Sequence, residues 1–121
     1  MKLKIDHCEF GEIIINGKKF HQILISKNKV LERDEKRLEE TFNSSHFIGD
    51  WEKELLFSNN PDVIIIGNGY QGILKVDESL IKEAQEKNIK LIINFTPEAV
   101  SLYNQLVEKV EIVNCLIHTT C

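Results

Sequence analysis

Apolar residues change their spacing half-way along the chain. In the first half they alternate with polar residues or form short β-branched runs. Leu3-Lys4-Ile5-Asp6 reads as a strand, and the longer run EIIINGKKFHQILIS places Asn16-Gly17 between two apolar segments. Both central residues of a type I′ turn need positive φ, which Asn-Gly tolerates, so this run predicts a β-hairpin. A two-residue turn sets the register: Ile15 faces Lys18, Ile13 faces Phe20 and Glu12 faces His21. The next stretch, KNKVLERDEKRLEETFNSSH, nearly cancels five basic against five acidic residues between Lys27 and Glu40, and has few apolar positions. It is read as a solvated, partly helical connection. Gly49 or Asp50 then caps a short helix that turns Trp51, Leu55 and Leu56 inward, with Trp51 as a core anchor, and Ser58-Asn59-Asn60-Pro61 ends it.

The second half alternates buried strands (DVIIIG, KLIINF, VEIVNCLI) with amphipathic helices, the order of a parallel β-α-β-α-β unit. Asp77 caps the first of these helices, Glu78–Lys82 and Glu83–Lys87 are spaced for i,i+4 pairs, and Asn88 suits the left-handed position that ends it. The second helix opens with Thr96 as cap and Pro97 in the first turn, and carries Ala99, Val100, Tyr103, Leu106 and Val107 on one stripe. The expected fold is therefore α/β: one compact three-layer domain over residues 1–121, with N-terminal antiparallel strands followed by the parallel unit.

Gly67, Gly69 and Gly72 have the G-x-G-x-x-G spacing of a dinucleotide-binding loop. In that fingerprint the helix starts inside the glycine motif, so its N–H groups and dipole face the pyrophosphate. In this chain such a helix would bury the Asp77 carboxylate in its apolar stripe, which is costly, whereas Asp77 fits well as a cap. The strand that follows ends Asn94-Phe95-Thr96, without the acidic residue that would hold a ribose. No dinucleotide, and no other cofactor, is expected. A small anion at Gly67, Asn68, Gly69 and Gly72 is the alternative ligand, because the loop leaves the carboxyl end of a parallel strand.

Composition narrows the partners. The chain has 121 residues and a net charge of −4, so it lacks the basic face that a phosphate backbone needs, and nucleic acid is not expected. It contains no apolar run as long as a membrane span, and its first residues lack the apolar core of a signal peptide. Cys8, Cys115 and Cys121 include no C-x-x-C pair, which fits a reducing, cytoplasmic setting and no zinc knuckle. His7 and Cys8 point to opposite faces of a strand and cannot chelate one ion together. No metal site is expected. Candidate chemistry is confined to His46, His118 and Cys121, where an imidazole three residues from a thiol could lower the thiol's pKa. Against this, His118 at a strand end suits the satisfaction of buried backbone groups, and Cys121 packs as a small apolar residue.

Several stretches together resemble a known family. These are Ser45-His46 before a short helix, Pro61 followed by VIIIGNGYQG, Thr96 with Ala99, Tyr103-Asn104, and the closing HTTC of His118–Cys121. They are similar to the MTH-type domain of small archaeal and bacterial proteins, the adipogenesis-associated Mth domain-containing protein and mitochondrial complex I assembly factor three. Asn68 stands where Ser or Thr is usual, and Glu108-Lys109-Val110 where a glycine and a basic residue are usual. The resemblance implies a three-layer domain, no established catalytic activity, and assembly or regulatory roles. Two functions follow as expectations. A non-catalytic interaction module, binding a protein partner or itself, requires an exposed apolar patch larger than a few hundred Å², near an unpaired edge of the hairpin sheet. A ligand binder or enzyme requires a pocket joining the glycine loop to at least two of His46, His118 and Cys121.

Overall fold

The computed structural model describes residues 2–110 and 112–121. Strands β1 (Ile5–Glu9), β2 (Glu12–Ile15) and β3 (Lys18–Phe20) form an antiparallel sheet in the order β1-β2-β3. Asn16 and Gly17 both have positive φ, 53° and 76°, and Ile15 pairs with Lys18 and Ile13 with Phe20, as the turn chemistry requires. Pairing stops at Phe20, so Glu12 does not meet His21 in the ladder; Glu12 pairs with Glu9 across β1 instead.

The chain then leaves this sheet. Strand β4 (Ile23–Ser26) enters a second, five-stranded sheet with β5 (Lys29–Glu32), β6 (Val63–Asn68), β7 (Lys90–Asn94) and β8 (Val113–His118), ordered β5-β4-β8-β6-β7. β4 is antiparallel to both neighbours, whereas β8, β6 and β7 are parallel to one another. The charged stretch from Lys27 is thus corrected in part. Its first residues form a second hairpin, turned at Lys27 and Asn28 with φ of 55° and 56°, and its middle forms helix α1 (Glu35–Phe42).

Helices α2 (Asp50–Leu56), α3 (Glu78–Glu86) and α4 (Thr96–Leu106) complete the fold. The five-stranded sheet is the middle layer, and strict alternation along β6 divides the apolar residues between its faces. Val63 and Ile65 join Ala99 and Tyr103 of α4 and the isoleucines of the small sheet. Ile64 and Ile66 join Leu56 of α2 and Leu80 of α3. Asn104 pins the small sheet to α4, its side chain accepting from Ile5 N and donating to Ile5 O, both at 2.8 Å.

Two caps differ from expectation in detail. Asp77 precedes α3, but its carboxylate accepts from Lys53 Nζ and the Ser79 hydroxyl and caps no backbone N–H. Partial burial works to raise its pKa, but the bonds from Lys53 and Ser79 outweigh this and hold it below the usual carboxylate value. Phe95, not Thr96, is the N-cap of α4. Glu83–Lys87 pairs as spaced, at 2.6 Å, and Asn88 has φ 58°.

Candidate functional site

The glycine loop does not lead into a helix. After Gly72 the chain runs through Ile73–Val76 before α3 begins at Glu78, so the helix N-terminus stands away from the glycines. The donors of the loop are occupied by the segment after β8. Tyr70 N donates to Thr120 O at 2.8 Å, and Gln71 N and Ile73 N both donate to Cys121 O, at 2.9 and 3.1 Å. Gly69 N donates to the Thr96 hydroxyl at 2.9 Å, and that hydroxyl donates to His118 O at 2.5 Å. Thr96 therefore ties the loop to β8, and its side chain is not the helix cap.

Gly69 is required on two counts. Its φ is +107°, and a β-carbon added to it would lie 2.3 Å from the Cys121 carbonyl. A Rossmann glycine lets the backbone approach a pyrophosphate closely; Gly69 lets it approach the protein's own chain. Asn68 adds an acceptor: its buried Oδ1 has no hydrogen-bond partner among the described residues.

The sequence candidates do converge. The His46 and His118 rings meet edge-to-face with centroids 5.2 Å apart, and His118 Cδ2 lies 3.1 Å from the position of a β-carbon on Gly69. His118 is fully buried, and both its ring nitrogens are engaged. Nδ1 lies 2.6 Å from Gln22 Oε1 and Nε2 lies 3.1 Å from the Thr120 hydroxyl. Gln22 Oε1 also accepts from Arg33 Nη1 at 2.8 Å, so His118 Nδ1 must carry the proton and Nε2 must accept from Thr120. Burial, then the positive charge of Arg33 and the neighbouring His46 and His21, push the His118 pKa down to about 3. The ring is neutral at physiological pH. Its nitrogens are engaged by Gln22 and Thr120, and Cys121 is a half-buried free thiol.

Behind Gln22 lies an ion pair that sequence reasoning missed. Arg33 and Glu52 are both buried, joined by two bonds of 2.8 and 2.9 Å. Arg33 also donates to Ser45 O and Phe47 O, and Glu52 accepts from Gly49 N at 3.0 Å. All three guanidinium nitrogens thus have acceptors, which a buried ion pair needs to offset its desolvation. A partial signal did exist, since Glu52 sits three residues after the Gly49 cap, the spacing of a capping box. Arg33, inside a charged run, carried none. Among the described residues no three His, Cys, Asp or Glu side chains gather to hold a metal ion.

Around this closed loop the rim is apolar and exposed. Phe10, at the β1–β2 turn, packs against Tyr70 at 5.7 Å between ring centroids, and the Phe95 ring lies against Gly72. Phe10 and Phe95 are 58% and 54% exposed and Ile73 is 44% exposed. The Tyr70 hydroxyl reaches Cys8 Sγ at 3.6 Å, and burial raises the pKa of both groups above the ordinary values.

Residues 5–118 match the model of a family described as proteins of unknown function, DUF498/DUF598. The chain belongs to that family. No curated protein matches it. Among solved structures it is similar to a conserved hypothetical protein from Pyrococcus horikoshii OT3, with 28% identity, a TM-score of 0.83, and coverage of 98% of this chain and 99% of that one. A protein named MT938 gives 24% identity and a TM-score of 0.76 over 99% of this chain and 100% of that one. An outer membrane protein from Bartonella henselae gives 19% identity and a TM-score of 0.68 over 99% and 97%. The last two share the fold alone. Among the described residues of this family member, no helix is long and apolar enough to cross a membrane.

Proposed function

We propose that this DUF498/DUF598 protein is a non-catalytic interaction module of the cytoplasm. It would engage another protein chain through the aromatic rim at the carboxyl end of its parallel strands. One observation carries the reading. The crevice where an open α/β sheet places a ligand is filled by Thr119–Cys121, and the residues around it are exposed Phe10, Ile73 and Phe95. At roughly 200 Å² for a phenylalanine and the fractions above, the three present on the order of 300 Å² of apolar surface, the low end of the largest patch on an ordinary monomer; it lies at the β1–β2 turn and the glycine loop and not along an edge strand of the small sheet, where the expectation put a larger one. The resemblance to MTH-type domains, with their assembly roles, points the same way.

In this reading His118 and Cys121 are structural: the imidazole links Gln22 to Thr120, and the Cys121 carbonyl closes the loop. Anion binding at Gly67–Gly72 has less support, because Asn68 Oδ1 is an acceptor and the backbone donors of Gly69, Tyr70, Gln71 and Ile73 are bonded within the chain. The test is Phe10→Asp together with Phe95→Asp in the intact protein, followed by sedimentation of the purified chain and by its apparent size in lysate of its own cells. The reading expects wild type to travel in a larger species and the double variant at its monomer mass of 14.0 kDa with an unchanged melting temperature. A wild type that is monomeric in both settings contradicts it.

A further inference from the structure

Aromatic surface beside α1 is covered by the chain itself. Trp51 is half-buried with Arg37 over its ring at 4.0 Å, so the sequence expectation of a core anchor is corrected, and Lys75 lies 5.7 Å from the centre of the Phe47 ring. The outer strands of the two sheets differ in how well they are guarded. β1 has a register shift between Ile5 and His7, and the Asn104 side chain holds both Ile5 N and Ile5 O. β3 has three residues, two of them lysines, and β5 begins with Lys29 and ends with Glu32. Such interruptions and charges keep another strand from adding to a sheet edge. β7 is the last strand of the five-stranded sheet, and Lys90 at its start is its one charge. It contains no proline and pairs with β6 without a break from Lys90 to Asn94.

The hydrogen-bonding groups of β7 divide between its two sides. Lys90 N donates to Asp62 O at 3.2 Å on the β6 side, so the alternation of a strand turns the N–H and C=O of Leu91 and Ile93 away from the sheet. Among the described residues no loop or side chain is hydrogen-bonded to them. Apolar side chains border the same edge. Ile93 is 37% exposed on the face it shares with Leu91, and Phe95, two residues on, lies against Gly72 in the rim. The open edge thus runs into the aromatic rim.

We propose that β7 receives an extended segment of the partner chain, antiparallel, as a sixth strand of this sheet. The proposal rests on the reading of the rim as a protein-binding surface and names how the partner is held. Leu91 and Ile93 each exchange both backbone bonds with one residue of the segment. Alternate apolar residues of the segment lie beside Leu91 and Ile93. An acidic residue toward its C-terminal end meets Lys90, which is exposed and forms no salt bridge among the described residues. A second copy of this chain fits less well. Paired about Ile92 it brings the five residues of β7 to each side, against the roughly 20–30 of a standard interface, whereas a separate chain covers edge and rim in one pass.

The test uses the intact, tagged protein in its own cells. Ile93→Pro removes the outward N–H and leaves the β6 ladder its donors, a change that an edge strand tolerates. Ile93→Lys keeps the N–H and sets a charge on the edge. Both are compared with wild type by apparent size in lysate, and amide exchange at Leu91 and Ile93 is measured in the recovered larger species and in the isolated chain. Wild type is expected in the larger species, and both variants are expected to lose most of it while keeping the circular dichroism of the fold. Exchange at the two amides is expected to slow about ten-fold or more within the species. Should Ile93→Pro not fold, Ile93→Lys carries the comparison. A larger species retained by Ile93→Lys, or unslowed amides within it, overturns strand addition; if Phe10→Asp with Phe95→Asp still abolishes that species, the rim reading stands. Absence of a larger species from wild type overturns both. A purified chain that sediments at twice 14.0 kDa and returns to 14.0 kDa in Ile93→Lys also overturns the proposal, assigning the edge to a second copy.

Discussion

Replacing Thr96 by valine removes one hydroxyl and almost no volume, so it isolates what that hydroxyl does. Thr96 is fully buried, accepts from Gly69 N at 2.9 Å and donates to His118 O at 2.5 Å. Valine leaves the Gly69 N–H without its acceptor and removes one donor from the His118 carbonyl. Leaving a buried polar group unsatisfied costs about 1–3 kcal/mol. The carbonyl has a second lone pair, so the total should be about 2–4 kcal/mol. Loss of a helix cap alone would cost about 1 kcal/mol. At roughly 4 °C per kcal/mol for a domain of this size, the melting temperature should fall by about 8–16 °C. Urea unfolding gives the free energy, and hydrogen exchange at the Gly69 amide should accelerate in the variant. Thr96→Ser should recover most of the loss. A valine variant within about 0.5 kcal/mol of wild type would refute the bridging role.

Further outcomes follow from the same geometry. Arg33→Met strands the Glu52 carboxylate in the core and should cost about 3–5 kcal/mol in urea unfolding, with partial recovery when Glu52→Leu is added; a neutral single variant contradicts the buried pair. His118 binds its proton with a pKa near 3 when folded against 6.5 as the ordinary value, so the unfolded chain takes up the extra proton as pH falls. Stability is therefore complete above about pH 6.5 and falls by about 1.4 kcal/mol per pH unit from there toward pH 3, a slope that His118→Gln should flatten. Millimolar NAD or NADP should leave the melting temperature unchanged, because the loop donors are bonded within the chain and α3 begins only at Glu78; a saturable rise of about 10 °C contradicts this.

Much of the fold was legible because its signals are local. Asn16-Gly17 specified a turn that needs positive φ, and the unbroken apolar run Val63–Ile66 of β6 marked a strand buried on both faces. The β4–β5 hairpin was not legible, since its turn is Lys27-Asn28, and lysine at positive φ carries no such signal. The site was legible as a set of residues and illegible as an arrangement. His46, His118 and the glycines do meet, yet what they do depends on long-range pairings. Gln22 lies 96 residues from His118, and Thr96 lies 27 from Gly69. Trp51 was misplaced for a related reason: its spacing from Leu55 indicates a shared helix face, but not that α1 leaves a groove beside that face.

The measurement that bears most directly on the interaction surface is site-specific photo-cross-linking in the protein's own cells. A benzophenone amino acid would replace Phe95 on the rim, or Gln105 on the exposed side of α4 as control. The account predicts a discrete cross-linked protein species from position 95, absent from position 105 and lost when Phe10→Asp is added. Cross-linking from both positions alike, or from neither, would contradict it.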